Sequence, residues 1–202
     1  MKHYSIVTEP AYEPVTVSEM VNMLGLGGST EELSLLSSYI STARERVTNY
    51  TGRAMVKTEF LLVSDSWSGG EITWTGDMMK IDRMPLSASG VSVKYYPYES
   101  TTLTTLTEGT DYIVLDKTTP GMVMLLIEPP QLADRPDAVQ IQFFAGHEDV
   151  AAISPMLKQA VRELAAHYFE LRLPVNVGNI VNEIPFGLRD LLDGQRIGGW
   201  FG

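Results

Sequence analysis

Two amphipathic helices, one toward each end of the chain, constrain the fold more than any other feature. In "EELSLLSSYISTARERVTNYTGR" the apolar side chains Leu33, Leu36, Ile40, Ala43, Val47 and Tyr50 recur at intervals of 3, 4, 3, 4 and 3. That period lines one face of a helix about 30 Å long. Ser29 and Thr30 supply the cap, Arg44, Glu45 and Arg46 form a polar interruption, and Gly52 is a natural stop. The second helix is expected in "ISPMLKQAVRELAAHYFELRLP", with Ser154 as cap and Pro155 at the favoured first position. Its apolar face reads Leu157, Ala160, Val161, Leu164, Tyr168 and Leu171, and Pro174 ends it. Each stripe needs a partner surface, and the economical solution packs the two helices together.

A shorter helix precedes them. In "TVSEMVNMLGL", Thr16 followed three residues later by Glu19 is a capping box, and Gly25, Gly27 and Gly28 break the helix. The residues between the two long helices read as strands: "AMVKTEFLLVS", "EITWT", "MMKIDRM", "VSVKYYPY", "TTLTTL", "DYIVLD", "GMVMLLIE" and "AVQIQFFAG". They are short, near-regular and bounded by turn residues, which predicts an antiparallel sandwich or barrel rather than βαβ units. The fold class is therefore α+β: a small helical bundle, an inserted antiparallel β-sandwich or barrel-like region, and an extended C-terminal arm. The boundaries read 1–53, 54–150, 151–174 and 175–202. Within the arm, "FGLRDLLDG" can form one short helix, and "GQRIGGWFG" follows as a loose end.

Composition excludes several functions. The chain has 202 residues, 44% of them hydrophobic, which is enough for a core without covalent staples. It has no cysteine, hence no disulfide, thiolate metal site or thiol nucleophile. The start lacks a signal-peptide pattern, and the longest apolar run, "MVMLLI", is too short to span a bilayer, so a soluble protein without membrane contact is expected. Residues 54–150 hold six basic and fourteen acidic side chains and carry −8 of the formal −10. No Lys/Arg cluster marks a phosphate-binding surface, although DNA could pass such a surface without being gripped.

Candidate chemistry is sparse. His3 lies in a terminus expected to be loose. His147 stands beside Glu148 and Asp149, but adjacent loop residues rarely converge on one ion. Glu163, His167 and Glu170 share a helical face, yet no matching Glu and His set exists on the other helices for a di-metal site. "GLGGST" lacks the lysine and the preceding strand of a phosphate loop. No nucleophile-elbow or Ser/His/Asp pattern is present. No enzyme activity and no cofactor are expected. Trp67, Trp74, Tyr95, Tyr96 and Tyr98 could form a sugar- or base-stacking platform, against the ordinary role of aromatics as strand residues.

Four stretches together resemble the head–tail connector (adaptor, or head-completion) proteins of tailed phages and prophages. They are "EPVTVSEMVNMLGL", "YISTARERVTNYTGRAM", "RPDAVQIQFFAGHEDVAAISPMLKQAVRELAAHYFELR" and "IPFGLRDLLDGQRI". The second is the most specific, through Ala43, Arg44, Val47, Tyr50, Thr51, Gly52 and Arg53. The resemblance implies a structural virion protein of the neck, assembled in the host cytoplasm. It would form a ring, twelvefold like the portal above it, extend the DNA channel, and offer a surface to a stopper or tail-completion protein. Genomic DNA would pass through without specific binding. The helices, with Leu33, Leu36, Ile40, Ala43, Arg44, Val47, Tyr50, Leu157, Val161, Leu164 and Tyr168, would build the bundle and the contacts around the ring. The arm would dock on the portal, on a neighbour or on its own bundle. Its matching residues are Ile184, Pro185, Phe186, Leu188, Leu191 and Leu192, and Ile197, Trp200 and Phe201 extend it as an inferred anchor. A stopper or tail-completion protein is the alternative within this class, and a carbohydrate-binding virion module the alternative outside it.

Overall fold

The computed structural model describes residues 2–67, 78–171 and 186–197, with only the backbone of Phe186. The chain divides into two compact units, Met1–Pro10 with Lys57–Gly146, and Ala11–Val56 with His147–Gly202.

The first unit is built of antiparallel strands. β1 (Lys2–Thr8), β2 (Thr58–Ser64), β8 (Val139–Ala145), β4 (Ser92–Tyr95) and β5 (Thr104–Thr105) form a five-stranded sheet in the order β1-β2-β8-β4-β5. β3 (Met78–Ile81), β7 (Gly121–Leu125) and β6 (Tyr112–Leu115) form a second sheet in the order β3-β7-β6. β2 and β8 alternate strictly between buried and half-buried residues, as the period of a half-covered strand demands. Phe60, Leu62, Ile141 and Phe143 are thereby turned inward, and the Phe60 and Phe143 rings stack at 5.7 Å. Links between the sheets include Tyr112, whose hydroxyl donates to the Val91 carbonyl at 2.8 Å. Gly121 lies so close to Leu86 that a Cβ there would fall 2.8 Å from a Leu86 methyl. The antiparallel β region expected from strand spacing as a sandwich or barrel is thus observed, as two antiparallel sheets.

The strands are shorter than the sequence suggested. "TTLTTL" contributes only the two residues of β5, and "EITWT" lies outside the described residues. The larger difference is at the start of the chain, which was expected to be loose and was grouped with the helices. It pairs instead with β2, from Lys2 opposite Ser64 to Thr8 opposite Glu59, with a register shift between Ile6 and Thr8. His3 therefore sits in a strand. Tyr4 and Ile6 turn to the partly buried side, and the Tyr4 hydroxyl accepts the Asp82 N–H at 2.9 Å.

The second unit is helical. α1 (Val17–Leu24) opens with the Thr16/Glu19 capping box and closes on Gly25 in the left-handed region. α2 (Thr30–Thr51) opens with a second capping box, Ser29/Glu32, and stops at Gly52, φ +76°. A 3₁₀ turn, Val150–Ala152, leads into α3 (Pro155–Glu170), where Ser154 holds the cap position without a side-chain hydrogen bond. α4 (Phe186–Asp193) is the short helix expected in the arm. Leu36, Ile40, Ala43 and Val47 of α2 and Leu157, Ala160, Val161 and Leu164 of α3 belong to one buried cluster, joined by Val15, Met20, Met55 and Ile153. Each such large side chain contributes about 1.5–3 kcal/mol over its exposed state.

Three positions depart from the two stripes, among them Leu171, which caps the C-terminal end of α3 and is 39% exposed. Leu33, in the first turn of α2, is 39% exposed. Arg44, expected among the polar interruption, is buried, and its Nε donates to Glu13 Oε2 at 2.8 Å. It follows Ala43 and lies between Ile40 and Val47 on the helix, so its stem enters the core while Glu13 neutralises its head. Phe169 is a core residue that the spacing analysis passed over.

Candidate functional site: the C-terminal end of the helical unit

In α4, Leu188, Leu191 and Leu192 fall at i, i+3 and i+4, so one face is apolar and needs cover. That cover comes from the unit itself. Leu188 is buried and Leu192 fully so, in the cluster formed by α2 and α3, with Leu191 packed at its edge. The end of the helix is then held at the C-terminal end of α2. The Tyr50 hydroxyl donates to Asp193 Oδ1 at 2.5 Å, Arg53 Nε donates to the Gln195 carbonyl at 2.6 Å, and the Ile197 N–H donates to the Thr51 carbonyl at 2.8 Å. The Arg196 guanidinium lies 5.3 Å from the centroid of the Tyr50 ring. The bond to Asp193 holds the Tyr50 phenol above its ordinary pKa, because the neutral hydroxyl is the donor.

Of the arm residues inferred from sequence, Leu188, Leu191, Leu192 and Ile197 therefore lie in or against the helical unit. Ile184, Pro185, Trp200, Phe201 and the Phe186 side chain lie outside the described residues. Of the bundle residues, Tyr50 and Tyr168 are half-buried at the core margin. Tyr168 stands 6.3 Å from Tyr39, a pairing between helices that neither stripe announced. Asp193, Gln195 and Arg196 were also missed, and Arg53 entered only through the connector-like stretch, without a role. Their polar types read as surface, and only the folded chain brings them beside Tyr50 and Thr51.

His147 has a structural place. Its backbone N–H donates to Met55, its carbonyl accepts the Tyr12 hydroxyl at 2.9 Å, and burial followed by the Arg53 charge pulls its imidazole pKa down. Among the described residues, no group of three or more His, Asp or Glu side chains is arranged to hold a metal ion. No helix among them is long and apolar enough to cross a membrane.

The aromatic residues of the first unit are largely engaged. Trp67 Nε1 donates to the Pro130 carbonyl at 2.8 Å, its ring lies 5.4 Å from Tyr95, and the Arg135 guanidinium covers Tyr96 at 3.6 Å. Tyr98 is exposed, and Trp74 lies outside the described residues. Nearby, Asp65, Leu132, Ala133, Asp134, Arg135 and Pro136 line an open cleft of about 500 Å³. Arg135 is tied bidentately to Asp137, with bonds of 2.5 and 2.8 Å, which holds the Asp137 carboxyl below its ordinary pKa. A ring face already covered by a paired guanidinium is a poor platform for a sugar.

No family profile matches the chain, and no curated protein matches it. Its fold is similar to that of chains in solved gene transfer agent (GTA) particles. A chain from the neck of the empty GTA particle, computed with C6 symmetry, superposes with a TM-score of 0.70 at 24% identity, covering 96% of this chain and 95% of that one. A chain from the virion of the native particle gives 0.69 at 24% identity, covering 96% and 94%. A chain from the neck of the native particle, computed with C12 symmetry, gives 0.68 at 22% identity, again covering 96% and 94%. The likeness spans the chain nearly end to end and is a likeness of fold.

Proposed function

We propose that this protein is a structural, non-catalytic component of the neck of a tailed phage or phage-like particle, acting as the head–tail adaptor. It attaches as a ring, twelvefold by analogy, beneath the portal. There it extends the DNA channel and offers the attachment surface for the stopper or tail. The observation that carries this reading is the fold shared over 96% of the chain with a chain from a GTA neck. The four connector-like stretches of the sequence support it independently. Charge agrees as well: a conduit that must release DNA is served by an acidic chain, −10 overall, better than by a basic groove.

The test is removal of the coding sequence from the particle-producing genome, followed by electron microscopy of lysates. The expected result is DNA-filled heads and free tails that do not join, with joining restored by adding the purified protein. Tailed particles assembled in its absence overturn the proposal. Isolated necks in which the protein contacts only the tail side, and never the portal, place it as the stopper instead.

A further inference from the structure

The three-stranded sheet is apolar on both faces. On one side Met79, Ile81, Tyr112, Val123 and Leu125 are buried. On the other, the register puts Met78 and Ile113 on either side of Met124, and Lys80 and Leu115 on either side of Met122. These six side chains are half-buried. The alternation continues past the end of β7, where Leu126 is 48% exposed, and Ile127 after it is 36% exposed. The five-stranded sheet of the same unit behaves differently. Its half-buried positions include Glu59, Ser92, Lys94, Gln140 and Gln142, the polar alternation of a sheet with one wet face. A sheet that keeps apolar residues on its second face as well is suited to being covered there too.

Residue type and charge define the cover. Methionine is unbranched and polarizable, and a face carrying three of them adapts to an irregular protein surface. The residues bounding the strands are mostly acidic: Asp82 after β3, Asp111 and Asp116 at the two ends of β6, and Glu128 beyond β7, against Lys80 in the face and Lys117. The unit carries seven basic and thirteen acidic side chains, and the helical unit eight and twelve. A second copy would therefore bring acid against acid, whichever unit it presented, and DNA would be repelled by the same carboxylates. The complement is a different protein, with an apolar contact surface edged by lysine and arginine.

We propose that the methionine-bearing face of the β3-β7-β6 sheet, with Leu126 and Ile127 at its end, is the docking surface for such a basic-edged partner protein in the particle. This deepens the neck reading and rests on it. The apolar face supplies the contact area, and the carboxylates at the strand ends select against further copies of this chain and against DNA.

The experiment replaces exposed Ile127 by the photocrosslinker p-benzoylphenylalanine, in particles assembled with the full-length protein. Irradiation is expected to give one heavier band on denaturing gels, joining this chain to a different particle protein, with the linked segment carrying a net positive charge. Leu126→Lys and Glu128→Lys, both at exposed positions, should each cut the yield of that band at least tenfold. Leu126→Met should leave it within twofold, and the melting temperatures of all three purified variants should stay within a degree or two of the parent. Peroxide footprinting gives a second readout: Met122 and Met124 should oxidise at least fivefold more slowly in the particle than in the free protein. Crosslinks only within the monomer or between copies, a linked segment that is acidic, no band at all, a yield indifferent to the lysine substitutions, or equal oxidation in both states overturns the proposal. Presence of the protein in the particle is read separately by mass spectrometry. Its absence defeats the neck reading and this surface with it, whereas presence without the expected crosslink defeats the surface alone.

Discussion

The Tyr50 hydroxyl donates a 2.5 Å hydrogen bond to Asp193 Oδ1, joining the last turn of α2 to the last residue of α4 across 143 positions of sequence. The pair is solvent-accessible, so it contributes modestly, about 0.5–1 kcal/mol. Tyr50→Phe should therefore leave the fold intact and shift the melting temperature only slightly. Amide exchange should show the difference locally, with faster exchange in residues 186–197 and none elsewhere. Uniform acceleration across the protein would count against a local role.

Leu192 is fully buried, whereas Leu191 sits at the edge of the same cluster. Leu192→Ala should cost about 2–4 kcal/mol, and Leu191→Ala about half of that or less. Denaturant melts of the two variants provide the check. Equal costs would mean that α4 is not seated as observed.

Arg44 and Glu13 make a largely buried ion pair, with Nε and Oε2 2.8 Å apart. Arg44→Met keeps most of the apolar stem but removes the ion pair to Glu13, and should destabilise by about 1–3 kcal/mol. Arg44→Lys should not rescue fully, since an ammonium cannot reproduce the side-on Nε contact. Urea unfolding distinguishes these outcomes.

Two groups of the helical unit should act on stability in successive pH windows. His147 has its pKa lowered from 6.5 by burial and by Arg53, so the folded state favours the neutral ring. Its contribution is complete above the ordinary value and is lost as pH falls from there through the folded pKa, because the unfolded chain takes up the proton first. Glu19 has its pKa lowered from 4.5, chiefly by the Thr16 backbone N–H. Its contribution is present above that value and disappears as pH falls through the folded pKa. Thermal melts should thus decline in two steps on acidification, and His147→Gln should abolish the upper step only.

Gly121→Ala would place a methyl 2.8 Å from Leu86 Cδ2 and 3.2 Å from the Met84 sulfur. The Leu86 side chain can move, but into a packed interior, so a loss of about 1–3 kcal/mol is expected. Calorimetry of this variant, and recovery in a Gly121→Ala, Leu86→Ala double variant, would establish that the close approach is the cause.

Much of the fold was readable without coordinates. The Thr16/Glu19 capping box, the Ser29 cap of α2, the glycine stops after α1 and α2, Pro155 at the start of α3 and the short helix in the arm lie where local chemistry put them. Those signals act between residues three or four apart, so no knowledge of the rest of the chain is needed. The alternation of β2 and β8 is likewise local, being the pleat itself.

The candidate site was legible only in part. "FGLRDLL" showed a helix with an apolar face, but an apolar face states a need for cover and not who provides it. An external partner and the helix's own bundle satisfy the same pattern. Burial of Leu188 and Leu192 among α2 and α3 is a choice between surfaces that only the assembled unit makes.

The sequence by itself therefore determined the helices with their starts and stops, the strand-rich character of the residues between the two long helices, and which helix faces must be hidden. Tertiary structure alone decided that Lys2–Thr8 joins β2, that Arg44 turns inward to Glu13, and that α4 ends clasped at Tyr50, Arg53 and Thr51. The physical reason is one of range. Capping and periodicity are interactions along a few residues of chain, whereas pairing and burial depend on which distant surface arrives to exclude water.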